Sequence, residues 1–324
     1  MQTPEAVLDW LAEPEEASVR YGAMVDLLGE PEDSARARRA RGAIRRSERA
    51  QALLSGQEED GAFGRHAYSK WRGSHWRLLR LADLNFPRKD RAVKRALEDA
   101  IPWALRLKPR MVAGRPRRCA SQQGAVVFYC VQLGYGNDPR VRTLVDRLLE
   151  WQWPDGGWNC DKRPQAHHSS FHETLLPLWG LAAYWHFRGD PEVKKAMDRA
   201  AELFLCHRLF RRDHDPEGSV IHHDFVRLHY PTYWHYDILE GCRALAFAGK
   251  LDDPRTAEAL DLIESKRRED GTWAPEHCYW SPPSTREVSG VEAVRWARPG
   301  RPDKFLTLNA LRVLKSAGRL SASS

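Results

Sequence analysis

The residues best suited to chemistry are histidines and acids near the middle of the chain. In HHSSFHET, His168 and His172 stand four apart, so a helix would point both imidazoles from one face, with Glu173 next along the chain. His235 and Asp237 open a second apolar segment, HYDILEGCRALAFAG. If the two segments are neighbours, His168, His172 and His235 with one or two carboxylates form a set that suits a catalytic divalent site, zinc being the ion such donors prefer. Without a metal, Asp237, Glu173 and His235 are the candidate acid and base groups. The same residues are equally consistent with helix capping and satisfied core polarity.

Basic and polar residues gather at the starts of other apolar segments. KWRGSHWR contributes His75 and Arg77 beside Lys70 and Arg72, and GRPRRCASQQG contributes Arg118 and Gln122 beside Arg115, Arg117 and Ser121. On a shared rim these groups would hold an anionic group such as a diphosphate, helped by the positive ends of the helices that follow. The chain holds 13 tryptophans. Trp76, Trp179 and Trp234, with Tyr233, would line a pocket for an apolar ligand and stabilise cations over their ring faces, or would simply be core. HHDFVRLHYPTYWHYD, His222 to Asp237, is the densest polar-aromatic stretch and reads as a lid or wall. Glu276, His277 and Cys278 are a further candidate group.

Helices must position these residues. Apolar residues recur three and four apart in LEDAIPWALRL, VRTLVDRLLEWQW, KKAMDRAAELFL and TAEALDLIESKR, which read as an outer layer. Alternating with them are less charged segments: YGAMVDLLG, SHWRLLRLADLNF, SQQGAVVFYCVQLGYG, HETLLPLWGLAAYW, HYDILEGCRALAFAG and FLTLNALRVLKSAG, an inner layer. Several end in Gly, and Asp-Pro pairs precede several outer segments. Three segments, QEEDGAF, QWPDGGW and REDGTW, share Asp-Gly, a small residue and an aromatic, with Asp60, Asp155 and Asp270 at about twice a ~50-residue period. Weaker punctuation falls at residues 108–119 and 211–220. The expected fold is all-α: an α/α toroid of about six inner and six outer helices, a single barrel spanning 1–324 as one domain, with first helices in 1–50 and repeats in 51–320.

The QWPDGGW and QEEDGAF segments resemble the QW-type repeat of squalene and oxidosqualene cyclases, which recurs in weaker form in protein prenyltransferase β subunits. That resemblance to the terpenoid cyclase and protein prenyltransferase superfamily implies a barrel around an aromatic-lined pocket for isoprenoid chains. WHYDILEGCRAL resembles the prenyltransferase stretch whose histidine binds zinc, which implies a ligand role for His235 and, with the prenyltransferases, a partner subunit.

Net charge is +7, concentrated in ARARRARGAIRRSER at residues 35–49, which reads as a solvated helix face. Basic residues do not interleave with aromatics on any one segment, so nucleic acid is not an expected partner. No apolar run reaches the ~18 residues of a transmembrane helix. The acidic start of the chain and six scattered cysteines point to a cytoplasmic protein with free thiols. The expected function is an enzyme acting on an isoprenoid or other hydrophobic small molecule in the central cavity. The alternatives are a metal-dependent or carboxylate-based hydrolase or lyase on a sugar or peptide, and a non-catalytic scaffold.

Overall fold

The computed structural model describes residues 5–213, 218–284 and 289–320, so residues 214–217 of the punctuation segment 211–220 lie outside the described residues. The inner layer consists of α2 (Ala17–Gly22) with its π-helical continuation Ala23–Leu27, α5 (Ser74–Asp83), α7 (Ala120–Gln132), α9 (Phe171–Arg188), α11 (Ile238–Phe247) and α13 (Lys304–Ser316). The outer layer is α1 (Glu5–Ala12), α3 (Ala35–Ile44) with α4 (Glu48–Leu54), α6 (Arg91–Arg106), α8 (Pro139–Trp151), α10 (Pro191–Cys206) and α12 (Ala257–Ser265). From α5 to α13 successive inner helices pack side by side, α13 returns against α2 and its π turn, and α2 and α5 face one shared cavity, so the inner layer runs round a ring. This is the expected all-α toroid. Residue 50, the expected end of the first helices, lies inside α4.

Local chemistry sets the helix ends. Asp90, Asp138 and Asp190 accept backbone N–H groups at the starts of α6, α8 and α10, and proline occupies the first turn of the last two. Gly189 closes α9 in the left-handed conformation, φ 67°; at the end of α5 Asn85 takes that conformation instead, φ 56°. Inner helices such as α5 are buried nearly all round because both faces are covered. Outer helices keep one buried stripe, as in α8, where Val141, Leu144, Val145, Leu148 and Trp151 are buried.

The three Asp-Gly segments form one device, always leading from an outer helix to the next inner one. Gln152 Nε2 donates to Gly156 O and to Ala196 O of α10, and Gln57 repeats this on Gly61 O and Ala92 O of α6. In the third turn the glutamine position holds Arg267, whose Nε donates to Gly271 O. The turn needs glycine: Gly156 has φ 97°, and a Cβ there would lie 2.3 Å from Arg199 O. Trp158 and Trp273 are buried and donate their indole N–H groups to Leu148 O and Ile263 O, ending α8 and α12. These residues hold helix to helix.

The Arg-rich segment is only partly the solvated face expected. Arg36, Arg38, Arg39 and Arg46 are exposed, but Arg45 pairs with Asp90 at 2.8 Å and Arg49 with Glu16 at 2.5 Å, while Arg41 turns towards the ring interior. Among the described residues no helix is long and apolar enough to cross a membrane.

Long connections all lie at the rim where the inner helices start. They include an antiparallel hairpin of β1 (Arg110–Val112) and β2 (Arg115–Arg117) before α7. Parallel bridges join His229 to His277 and Ser281 to Val291. Trp71 stacks on Tyr233 at 3.7 Å and donates its indole N–H to Tyr279 O, while Trp280 donates to Tyr230 O. Cross-linked in this way, the loops plug the rim that sequence reasoning makes the mouth of the ring.

Candidate functional site

The open space of the ring lies at the opposite end, where the inner helices finish. A cavity of about 870 Å³ opens there. Trp179 of α9 stands between Phe128 of α7 and Phe247 of α11, with ring centroids 5.3 Å and 5.1 Å away. Around these rings the cavity carries five basic side chains, Arg41, Arg88, Lys89, Arg243 and Arg312, against three carboxylates, Asp26, Glu32 and Asp83. Each carboxylate is already engaged by arginine: Asp26 by Arg312 at 2.5 Å, Glu32 by Arg41 at 2.7 Å, and Asp83 by Arg80 and Arg243, both at 3.2 Å. The Arg243 guanidinium lies 5.4 Å from the Trp179 ring centre.

Below the cavity the ring is filled by a ladder of ions. Asp83 also accepts the Tyr230 hydroxyl at 2.7 Å, and Arg243 pairs with Glu240 at 2.5 Å. Burial pushes the Asp83 carboxyl up, but Arg80 and Arg243 outweigh it and hold the group below its ordinary range. Further along, His229 and Asp237 pair at 2.9 Å with both side chains buried. Burial lowers His229, yet the Asp237 carboxylate overrides this and leaves it raised.

Glu292 ends the ladder near Arg80, accepting the Trp296 indole N–H at 2.9 Å and its own neighbour's N–H, that of Ala293, at 2.8 Å. Burial lifts it from 4.5 to about 7 despite those hydrogen bonds. A carboxyl whose folded pKa is raised contributes stability that is complete below its unfolded pKa and is lost as pH rises through the folded value. Melting temperature should therefore fall between about pH 4.5 and 7 by a component that Glu292→Gln removes, with the variant melting above wild type beyond pH 7. Parallel melts across that range check this, and identical slopes in the two proteins would refute it.

The expected acid, base and metal residues sit at the plugged rim, and none of them lines the cavity. Ser170 caps α9, so His168 precedes the helix and does not share a helical face with His172, contrary to the spacing argument. His172 Nδ1 accepts the Tyr236 N–H at 2.9 Å; its ring centroid is 6.2 Å from that of His235, which is sandwiched between Trp234 and Tyr279. Burial lowers His172 to about 4 and His235 to about 3. Among the described residues the three imidazoles do not converge to ligand distance, so the zinc set implied for His168, His172 and His235 does not fit. Asp237 caps α11, accepting the Glu240 and His229 N–H groups.

Of the residues expected to touch substrate, Trp179 alone lines the cavity. His75 is fully buried in a box of Tyr68, Trp76, Trp103 and Tyr129, and burial lowers it to about 3. Arg77 donates to Leu53 O, Ser55 O and Arg72 O and so closes the end of α4. Arg118 donates to Gln122 Oε1 at 2.9 Å, and Trp76, Tyr233 and Trp234 belong to the aromatic plug. Glu276 accepts the Leu228 N–H at 2.8 Å and serves the rim loops. Sequence reasoning missed Asp83 at the end of α5, Arg243 in the middle of α11 and Arg312 in the second half of α13. Missed too were Cys119 and Cys160, which stand with Glu173, their donor atoms within 4.8 Å of one another.

No protein-family model matches the chain, and no curated protein matches it in sequence. Among solved structures, a protein from Actinoplanes is similar at 19% identity over 94% of this chain and 90% of its own, TM-score 0.44. A GH76 α-mannanase of Bacteroides thetaiotaomicron is 12% identical, covering 75% of this chain and 68% of its own, TM-score 0.39. A type II terpene cyclase from Scytonema is 12% identical over 86% of this chain and 98% of its own, TM-score 0.31. At such distances none of them carries a substrate over to this chain.

Proposed function

We propose that this toroid is an enzyme whose substrate is an anion with an apolar body, an isoprenoid diphosphate being the class that fits best, held in the cavity where the inner helices end. The observation that supports this is the meeting of the Phe128, Trp179 and Phe247 rings with a surplus of arginine and lysine in one cavity. Guanidinium groups grip phosphate oxygens in pairs, and aromatic faces take an unsaturated hydrocarbon chain. Glycoside cleavage fits less well, because it needs one protonated carboxyl facing a second carboxylate. Here every cavity carboxylate is paired with arginine, and Asp83 is held ionised.

Titration of tryptophan fluorescence tests the reading. Farnesyl diphosphate should quench it saturably, whereas farnesol and inorganic pyrophosphate should bind at least about tenfold more weakly, each lacking one half of the recognition. Arg88→Gln, at the exposed cavity mouth, should weaken farnesyl diphosphate by about two- to fivefold, the size of a solvent-facing charge contact. Equal binding of farnesol, or saturable binding of a mannan oligosaccharide in place of the diphosphate, would overturn it.

A further inference from the structure

Cys119 is the residue before α7, Cys160 follows the second Asp-Gly turn, and Glu173 lies in the first turn of α9. Two connections and the start of a helix thus bring two thiols and a carboxylate together, with all three donor atoms within 4.8 Å of one another. Cys160 Sγ is 3.2 Å from Glu173 Oε1, close to the ~3.5 Å edge of a tetrahedron with Zn–S near 2.3 Å and Zn–O near 2.0 Å. The other carboxylate oxygen, Glu173 Oε2, accepts the Ser121 N–H at 3.1 Å, the kind of outer hydrogen bond that orients a metal ligand.

Glu173 has a local alternative that it does not take. Ser170-Phe-His-Glu173 is the pattern of a capping box, in which the glutamate turns back to the serine N–H. Ser170 does its half, accepting the Glu173 N–H, but its own N–H goes to Trp158 O, which frees the Glu173 carboxylate for Cys160. Tyr68 stands beside the group and hydrogen-bonds Gln122 of α7.

We propose that Cys119, Cys160 and Glu173 form a zinc site at the plugged rim, tying the β hairpin, the second Asp-Gly turn and α9 together, with a fourth position left to water or a further donor. Two soft sulfurs and one carboxylate select zinc over magnesium or calcium. As each sulfur bonds the metal its thiol proton passes to solvent, so two thiols leave the ion neutralised and the carboxylate adds one negative charge. The site is independent of what the opposite cavity binds.

The test is elemental mass spectrometry on tag-free protein purified without chelator, with thiol alkylation mapped on the wild-type chain. About one zinc per chain is expected, lost in Cys119→Ser and Cys160→Ser and weakened in Glu173→Gln. It should be kept in Cys206→Ser and in His223→Ala, the latter changing a group of exposed His222 and His223 with half-buried Asp224. In the wild type, zinc should shield Cys119 and Cys160 from alkylation, and cobalt in its place should show a thiolate charge-transfer band, two readouts that need no variant to fold. Absence of binding after zinc is supplied, zinc lost with His223→Ala but kept in Cys160→Ser, or a Cys119–Cys160 disulfide in reduced preparations would each overturn the proposal.

Discussion

Gly124→Ala is expected to destabilise the protein by about 3 kcal/mol or more, while the same change at Gly42 should stabilise it by about 0.5–1 kcal/mol. Gly124 lies in α7 where it crosses α9. A Cβ there would stand 2.3 Å from Pro177 N and 2.5 Å from Leu176 O, and a Cβ on Gly180 would stand 2.4 Å from Gly124 O. The obstacle is backbone on both sides, so no side chain can swing away and the helices must part. Parting them shifts neighbours around the ring, because α9 also packs against α10 and α11. Gly42, in α3, has nothing within 4 Å of its Cβ position, and alanine there only removes unfolded-chain entropy. Thermal melts of the two variants should move in opposite directions. A Gly124→Ala protein that melts with wild type would mean the two helices are not in backbone contact.

What the sequence shows and what it hides divide along the range of the interactions. All six inner segments and the four outer segments singled out form helices where apolar residues recur three and four apart, because that pattern is local and each helix buries its face against a neighbour. The Asp-Gly turns are legible for the same reason, since glutamine, glycine and aromatic act within seven residues and on the adjoining helices. Which rim stays open is not legible. It is decided by contacts such as Trp71 on Tyr233 and Arg72 on Ser284 O, between residues more than 150 apart. The start of α9 was within reach: Ser170 three residues before Glu173 marks a helix N-terminus that leaves His168 outside. Cys119 and Cys160, with no short spacing between them, meet only once the hairpin and the turn are in place. Asp83 and Arg243 lie on two inner segments 160 residues apart, and nothing local in the sequence pairs them. Only the folded ring buries them together.

That pair carries the second large effect. Asp83→Leu should cost about 3–5 kcal/mol, because it leaves Arg80 and Arg243 buried with a counter-charge removed and takes an acceptor from the Tyr230 hydroxyl. Asp83→Asn keeps the shape and one acceptor oxygen, and should cost less. The pH dependence separates charge from packing. Asp83 has a folded pKa below its unfolded value, so its contribution is present above the unfolded pKa and is lost as pH falls through the folded one. Wild type should therefore lose its advantage over Asp83→Asn progressively below about pH 4, whereas the deficit of Asp83→Leu should persist into acid. The cavity adds an opposite effect on binding. Arg243 pairs with two carboxylates, Asp83 and Glu240, so removing the Asp83 charge leaves that guanidinium with Glu240 alone, and Asp83→Asn should bind farnesyl diphosphate more tightly than wild type even as it melts lower. Melts from pH 3 to 8 and fluorescence titrations on the same preparations measure both. Weaker binding by a folded Asp83→Asn protein would show that the carboxylate helps the ligand rather than competing with it for arginine, and would count against an anion in this cavity.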